Sequence, residues 1–114
     1  MINWSNHVRS KLKEYSLSDI SFTKKDELLN WLAKRNMCTL DDMKKEIYGL
    51  NNLEFVEKQE KVYNEKKEER FKCYFVYSGS RGRCYIIKFN KNVMIITAFP
   101  LGRTTLRRYR KKFK

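Results

Sequence analysis

The chain has 114 residues and a mass of 13.9 kDa, which suits one domain with one modest core. Hydrophobic residues make up 41% of it and aromatic residues 14%, so a chain that is disordered throughout is excluded. A net charge of +13 favours polyanionic partners such as nucleic acid, anionic lipid or an acidic protein.

The first fifty residues are predicted to be mainly helical. Apolar residues recur at helical spacing over 4–15, 23–36 and 39–49. The third of these helices is expected to end at Gly49. The expected caps are, in order, Ser5, Thr23 with Asp26, and Thr39 with Asp41 and Asp42.

From residue 51 the apolar period changes to two, which predicts an antiparallel meander of about four strands. The expected strands are 53–60, 71–77, 83–89 and 93–99. The charged stretch 61–70 either extends the first hairpin or frames an exposed loop. Pro100 and Gly102 are expected to end the last strand.

A basic helix is predicted to close the chain. Thr104 or Thr105 is its expected cap, and Leu106, Tyr109 and Phe113 form its apolar stripe. The predicted fold class is therefore α+β, with N-terminal helices packed on the meander and a short basic C-terminal helix. We expect a single domain over 1–114, in which 1–50 are mainly helical, 51–102 form the sheet and 103–114 form the basic segment.

Charge is distributed unevenly along the chain. All thirteen acidic residues lie at or before Glu69, and the fourteen Lys and Arg residues of 1–70 nearly balance them. Residues 71–114 contain twelve Lys and Arg residues and no acid. We therefore expect the C-terminal part to bind the polyanion, although a solubilising basic tail is the alternative.

Composition argues against several classes of protein. The three cysteines lack a C-x-x-C spacing, which favours reduced thiols over disulfides or a zinc site. No apolar run is long enough to span a membrane, and the first residues lack the pattern of an export signal. The basic part contains no carboxylates that could hold two catalytic metal ions. We expect a cytoplasmic protein with no membrane segment, no metal and no cofactor.

Several segments together resemble a known family. They are Trp4 and His7 in the leading helix, the strand segments 53–57, 73–77, 82–87 and 93–100, and the closing segment 103–109. The order of helices, meander and basic end is similar to that of RelE/ParE-type toxins, within the wider barnase–EndoU–colicin–RelE group of metal-independent ribonucleases. The resemblance implies a toxin that cleaves RNA, including ribosome-bound mRNA, and that is held by an acidic antitoxin protein.

Metal-independent cleavage requires a group that activates the ribose 2′-hydroxyl, cations that stabilise the phosphorane and an acid for the leaving oxygen. The resemblance carries these roles onto five residues, which are Arg103, Arg83, Lys88, Tyr109 and His7. Three of them have a structural alternative. His7 could be a partly buried helix residue, Tyr109 a core residue, and Arg83 a charge that protects a strand edge.

The remaining basic residues are predicted to bind the nucleic-acid backbone. The predicted nucleic-acid-binding residues are Arg81, Arg107, Arg108, Arg110, Lys111 and Lys112, with Tyr85 as a stacking partner for a base. The alternative function is a non-catalytic module. It would either bind RNA on its sheet, with stacking aromatics such as Tyr74, Tyr77 and Tyr85, or block a protein target as ParE does.

Overall fold

The computed structural model describes residues 3–63 and 66–113, with the side chains of 61–63, 66–67 and 112–113 outside the description. Its helices and strands, in chain order, are α1 (Trp4–Leu12), β1 (Ile20–Phe22), α2 (Asp26–Asn36), α3 (Leu40–Gly49), β2 (Leu53–Tyr63), β3 (Lys66–Val76), β4 (Gly82–Phe89), β5 (Val93–Leu101) and α4 (Arg103–Phe113). The α+β fold class is confirmed. None of the described helices is both long and apolar enough to cross a membrane.

Five strands form one mixed sheet in the order β1-β5-β4-β3-β2. Strands β2 to β5 are the predicted antiparallel meander. The charged stretch 61–70 extends the first hairpin, because β2 runs to Tyr63 and β3 starts at Lys66.

The first fifty residues, which were predicted to be mainly helical, also contain one strand that the sequence did not indicate. Strand β1 pairs in parallel with β5, with Ile20 opposite Val93. Ile20 is buried, and Thr23 extends the pairing because its hydroxyl donates to the carbonyl of Ile95. A three-residue strand is too short to show a period of two, so pairing with β5 defines it.

The caps of α1 and α2 differ from prediction. Asn3, not Ser5, caps α1, since its side chain accepts hydrogen bonds from the backbone N–H groups of Ser5 and Asn6. Thr23 does not cap α2, because the N-cap position is Lys25 and makes no side-chain hydrogen bond there.

The ends of α3 and α4 show one confirmed cap and one correction. Thr39 caps α3 as predicted, and it forms a capping box with Asp42; the helix ends at Gly49 as expected. The left-handed residue that follows is Leu50, with φ of 56°. Helix α4 begins at Arg103, before either predicted threonine cap, and the N–H of Leu106 donates to the carbonyl of Gly102.

Strand β5 continues past its predicted end. Pro100 lies within it, opposite Arg83 of β4. Because β1 pairs only with the segment from Val93 to Ile95, the other edge of β5 has no described strand beside it at Pro100. A proline is tolerated there because it removes no hydrogen bond of a two-sided ladder.

Two apolar clusters lie on opposite faces of the sheet. We call the face that α1, α2 and α3 cover the helical face, and the opposite face, which carries α4, the α4 face. The alternation of β3 shows the division, since Phe75 belongs to the first cluster and Tyr74 to the second. In the first cluster Leu32 and Ile47 are fully buried against the sheet. The structure is therefore three layers deep wherever α4 lies on the sheet.

Candidate nucleic-acid interface

Helix α4 is held on the sheet by one apolar stripe. Leu106 and Tyr109 are buried in the second cluster. Tyr109 stacks on Tyr74 of β3 with ring centres 5.0 Å apart, and Phe55 of β2 meets it edge-on at 5.6 Å. The predicted stripe is confirmed for Leu106 and Tyr109, while the side chain of Phe113 lies outside the described residues. This packing fixes the direction in which the basic side chains of α4 point.

The opposite side of α4 is a basic ridge, formed by Thr104, Arg107, Arg108 and Lys111. These residues are spaced by three and four positions, and all four are exposed. Together with Arg110 they border a shallow surface groove of about 490 Å³. We call the four residues Thr104, Arg107, Arg108 and Lys111 the α4 ridge. Its regular row of positive charges can follow a row of phosphates.

Three further predicted cations flank the α4 ridge. Arg103 is exposed at the first turn of the helix. Arg110 reaches the loop between β3 and β4, where its Nη1 lies 3.8 Å from the position that a Cβ on Gly79 would take. Arg81 follows in the same loop and is exposed. The predicted Lys112 side chain lies outside the described residues.

The uncovered part of the α4 face mixes both signs of charge. Lys88 of β4 donates to Glu68 of β3 at 2.7 Å, and Arg70 holds the other carboxylate oxygen of Glu68 at 2.9 Å. The hydrogen bond from Lys88 is the main cause that lowers the pKa of Glu68. Lys72 lies over the rings of Tyr74 and Phe99 at 5.4 and 5.8 Å. Lys88, predicted as catalytic, is thus partly neutralised by an ion pair.

Arg83 lies on the helical face, in a polar cluster with Glu46 of α3. Its Nη1 donates to Oε1 of Glu46 at 3.0 Å, and its Nη2 donates to the carbonyl of Asn36 at 2.9 Å. The hydroxyls of Tyr77 and Tyr85 donate to the same carboxylate at 2.5 and 2.6 Å. The side chains of Arg83 and Glu46 are only 15% and 16% exposed. Arg83 therefore points away from α4 and joins β4 to α2 and α3.

The electrostatics of this cluster favour fixed hydrogen bonds over proton transfer. Burial, and then the hydrogen bond to Glu46, raise the pKa of Tyr85 well above its ordinary value. The same two causes raise the pKa of Tyr77. Both hydroxyls keep their protons at neutral pH and act as donors. The carboxylate of Glu46 is matched by the guanidinium of Arg83, as a half-buried charge requires.

His7 lies far from the α4 ridge in the architecture. It is exposed on α1, and its ring lies 5.5 Å from those of Trp4 and Phe71. Phe71 belongs to the first cluster, so His7 stands on the helical side of the sheet. The sheet separates it from Arg103 and Tyr109. The five predicted catalytic residues are thus divided among three places: the edge of α1, the Glu46 cluster and the α4 face.

The structure argues against the roles predicted for three tyrosines. Tyr85 is fully buried, so its ring has no free surface on which a base could stack. Tyr74 is buried beneath Tyr109, which excludes it in the same way. Burial, and then the charge of Glu54, raise the pKa of Tyr109 to about 12, so its hydroxyl is a poor proton donor at neutral pH. The alternative interpretation of Tyr109 as a core residue agrees better with its observed position.

The structure brings together no metal-binding group among the residues it describes, since none of their His, Cys, Asp and Glu side chains form a cluster of three. Cys73 and Cys84 are buried free thiols and Cys38 is half-buried. Burial raises the pKa of Cys84 to about 12, so this thiol is protonated at neutral pH. Neither buried thiol has the character of a nucleophile.

Comparison of the chain with models of protein families, with curated proteins and with solved structures finds no match. Membership of the RelE/ParE-type toxins therefore stays a prediction from the sequence. The site is defined by its own geometry alone.

Sequence analysis missed the central residue of the Glu46 cluster. Glu46 shares the apolar stripe of α3 with Met43, Ile47 and Leu50, at helical spacing. A carboxylate at an inward position requires a cationic or hydrogen-bonding partner. That signal points to a buried ion pair. Nothing in the sequence identifies Arg83, 37 positions away, as the partner.

Proposed function

We propose that this chain is a nucleic-acid-binding protein that holds a phosphodiester backbone along the α4 ridge. The observation that carries the proposal is the row of Arg107, Arg108 and Lys111, which are all exposed on a helix whose other side is packed on the sheet. The anchoring lowers the conformational cost of binding, because the helix backbone is already ordered. Positive charge at this spacing suits phosphate contacts, which give affinity with little sequence preference.

Binding is better supported than cleavage. Catalysis needs its groups within hydrogen-bonding distance of one phosphate, and the five predicted catalytic residues lie in three places. Arg83 is engaged by Glu46, and Lys88 is engaged by Glu68. The metal-independent ribonuclease, the RelE-like toxin and its acidic antitoxin remain predictions that rest on the family resemblance. RNA is the expected ligand, and the cytoplasm is the expected location.

The proposal is tested by fluorescence anisotropy with a labelled RNA hairpin and, separately, a DNA duplex. The test variant replaces Arg107, Arg108 and Lys111 by alanine. The matched control removes three exposed cations from the helical side, by Lys13→Ala, Lys25→Ala and Lys34→Ala. We expect the ridge variant to lose about tenfold or more in affinity at low salt, and the control to lose much less. Equal losses in the two variants would contradict a localised site.

A parallel incubation of the RNA with the unmodified protein in EDTA tests the prediction of catalysis. Intact RNA that is retarded in a gel supports a binding module. Cleavage products that persist in EDTA would establish the ribonuclease in its place, and the variants above then show whether the α4 ridge also positions the substrate.

A further inference from the structure

Strand β2 is the outermost strand of the sheet, so among the described residues no strand lies beside its outer edge. It is eleven residues long, whereas the opposite edge strand β1 has three. Arg9 protects the start of β2, since its Nη2 donates to the carbonyl of Leu53 at 3.0 Å. The rest of such an edge presents backbone donors and acceptors that can pair with another strand.

The sequence of this edge is complementary to itself. From Phe55 to Tyr63 it reads Phe-Val-Glu-Lys-Gln-Glu-Lys-Val-Tyr. When two copies are laid antiparallel about Gln59, Glu57 stands opposite Lys61, and Lys58 stands opposite Glu60. Further from Gln59, Val56 stands opposite Val62, and Phe55 stands opposite Tyr63. Every charge therefore meets the opposite sign, which is the arrangement that stabilises cross-strand pairs.

We propose that two copies of this chain associate through β2 in this register, forming one continuous ten-stranded sheet with a two-fold axis at Gln59. The register extends the complementarity beyond β2. Lys72 of β3 lies opposite Glu57, and Glu68 of β3 lies opposite Lys61. One row across the joined sheet therefore reads Lys72, Glu57, the partner's Lys61 and the partner's Glu68, with alternating charge.

The charge of the edge also favours this place for association. The chain as a whole carries +13, which makes two copies repel one another. Strand β2 itself contains three glutamates and two lysines, so it is close to neutral. A row of lysines would be the usual protection of an edge against pairing, and β2 carries alternating signs. The edge thus combines the lack of a neighbouring strand among the described residues with low repulsion and a matching pattern.

The first test is the mass of the unmodified chain by sedimentation equilibrium over a wide range of concentration. We expect a concentration-dependent species of twice 13.9 kDa. A chain that stays at 13.9 kDa at every concentration overturns the proposal.

The register is tested by charge reversal. In a dimer of the Glu57→Lys variant, the lysine at 57 of each copy stands opposite Lys61 of the other copy. In a dimer of the Lys61→Glu variant, the glutamate at 61 of each copy stands opposite Glu57 of the other copy. Each variant alone should dimerise about tenfold or more weakly. Mixed together, the two variants should form a heterodimer, because the lysine at 57 of one variant meets the glutamate at 61 of the other, and the second pair is the native Lys61 with the native Glu57. Mixing changes nothing within either chain, so failure of the mixture to associate overturns the register.

A cross-link provides a second measurement that does not depend on charge. Gln59→Cys places two cysteines opposite one another at the two-fold axis, within the range of a disulfide. We expect rapid oxidation to a covalent dimer. Glu14→Cys, at an exposed position beyond the end of α1, is the control and should not cross-link at that rate. Equal rates for the two variants would contradict the proposed axis.

Discussion

At the scale of single residues, Glu46 is the acceptor at which three side-chain hydrogen bonds of the helical face meet. It accepts from Tyr77, Tyr85 and Arg83, which connect α3 to the end of β3 and to β4. A half-buried carboxylate of this kind is tolerated because its charge is both paired and hydrogen-bonded. The cluster holds α3 against β4 and the end of β3.

The first prediction is that Glu46→Gln destabilises the fold. The change keeps the shape of the side chain but leaves the guanidinium of Arg83 without its counter-charge. We expect the free energy of unfolding to fall by about 1–3 kcal/mol, measured by urea denaturation. The double variant Glu46→Gln with Arg83→Gln should lose less than the sum of the two single changes. Strict additivity would show that the two side chains act independently.

The second prediction concerns acid stability. The pKa of Glu68 is lowered in the folded state, chiefly by the hydrogen bond from Lys88, from an ordinary value of 4.5. Its contribution to stability is therefore present above about pH 4.5 and is lost as the pH falls through the lower folded value. In Glu68→Gln the free energy of unfolding should depend less on pH in this acidic range. A pH dependence that Glu68→Gln leaves unchanged would contradict this prediction.

At the scale of elements, α4 combines a packing face and a charged face in eleven residues. Leu106 has no exposed surface and lies with Tyr109 over Tyr74 and Cys84. The α4 ridge keeps its direction only while this contact holds. The stability of the contact and the proposed binding are therefore coupled.

The third prediction follows from that coupling. Leu106→Ala should lower the free energy of unfolding by about 2–4 kcal/mol, because a fully buried leucine is truncated. Thr105→Ala, at the neighbouring exposed position, should change it little. Hydrogen exchange then shows whether α4 detaches alone or the whole domain unfolds. Unchanged protection in α4 would mean that Leu106 does not anchor it.

The difference between these elements also explains how far sequence could predict the structure. The meander and α4 were predictable because the aromatic content of Phe71 to Tyr77 favours a strand, and Leu106 and Tyr109 recur as on a helix. Strand β1 was not predictable, because its three residues form a strand only by pairing with β5, more than seventy positions away. The site was predictable as a basic segment. The burial of Tyr85 depends on packing that no local pattern contains.

At the scale of the whole molecule, the two faces of the sheet carry helices from parts of the chain that differ in charge. The α4 ridge belongs to the acid-free segment 71–114, while the helices of the opposite face come from the nearly neutral first seventy residues. The proposed two-fold axis is perpendicular to the sheet, so both copies would present α4 on the same face. Two basic ridges would then be available to one extended polyanion.

The last prediction is the dependence of binding on salt. Four exposed cations of α4, which are Arg103, Arg107, Arg108 and Lys111, can each displace about one counterion from a phosphate. For a short duplex that reaches one ridge, the logarithm of the binding constant should fall against the logarithm of the salt concentration with a slope of about −3 to −4. The alanine variant at Arg107, Arg108 and Lys111 should reduce the slope by about 3. A longer duplex that reaches both ridges of the proposed dimer should give the unmodified protein a slope nearly twice as large. Anisotropy titrations at several salt concentrations measure all three slopes, and a binding constant that does not change with salt would exclude the α4 ridge as a phosphate-binding surface.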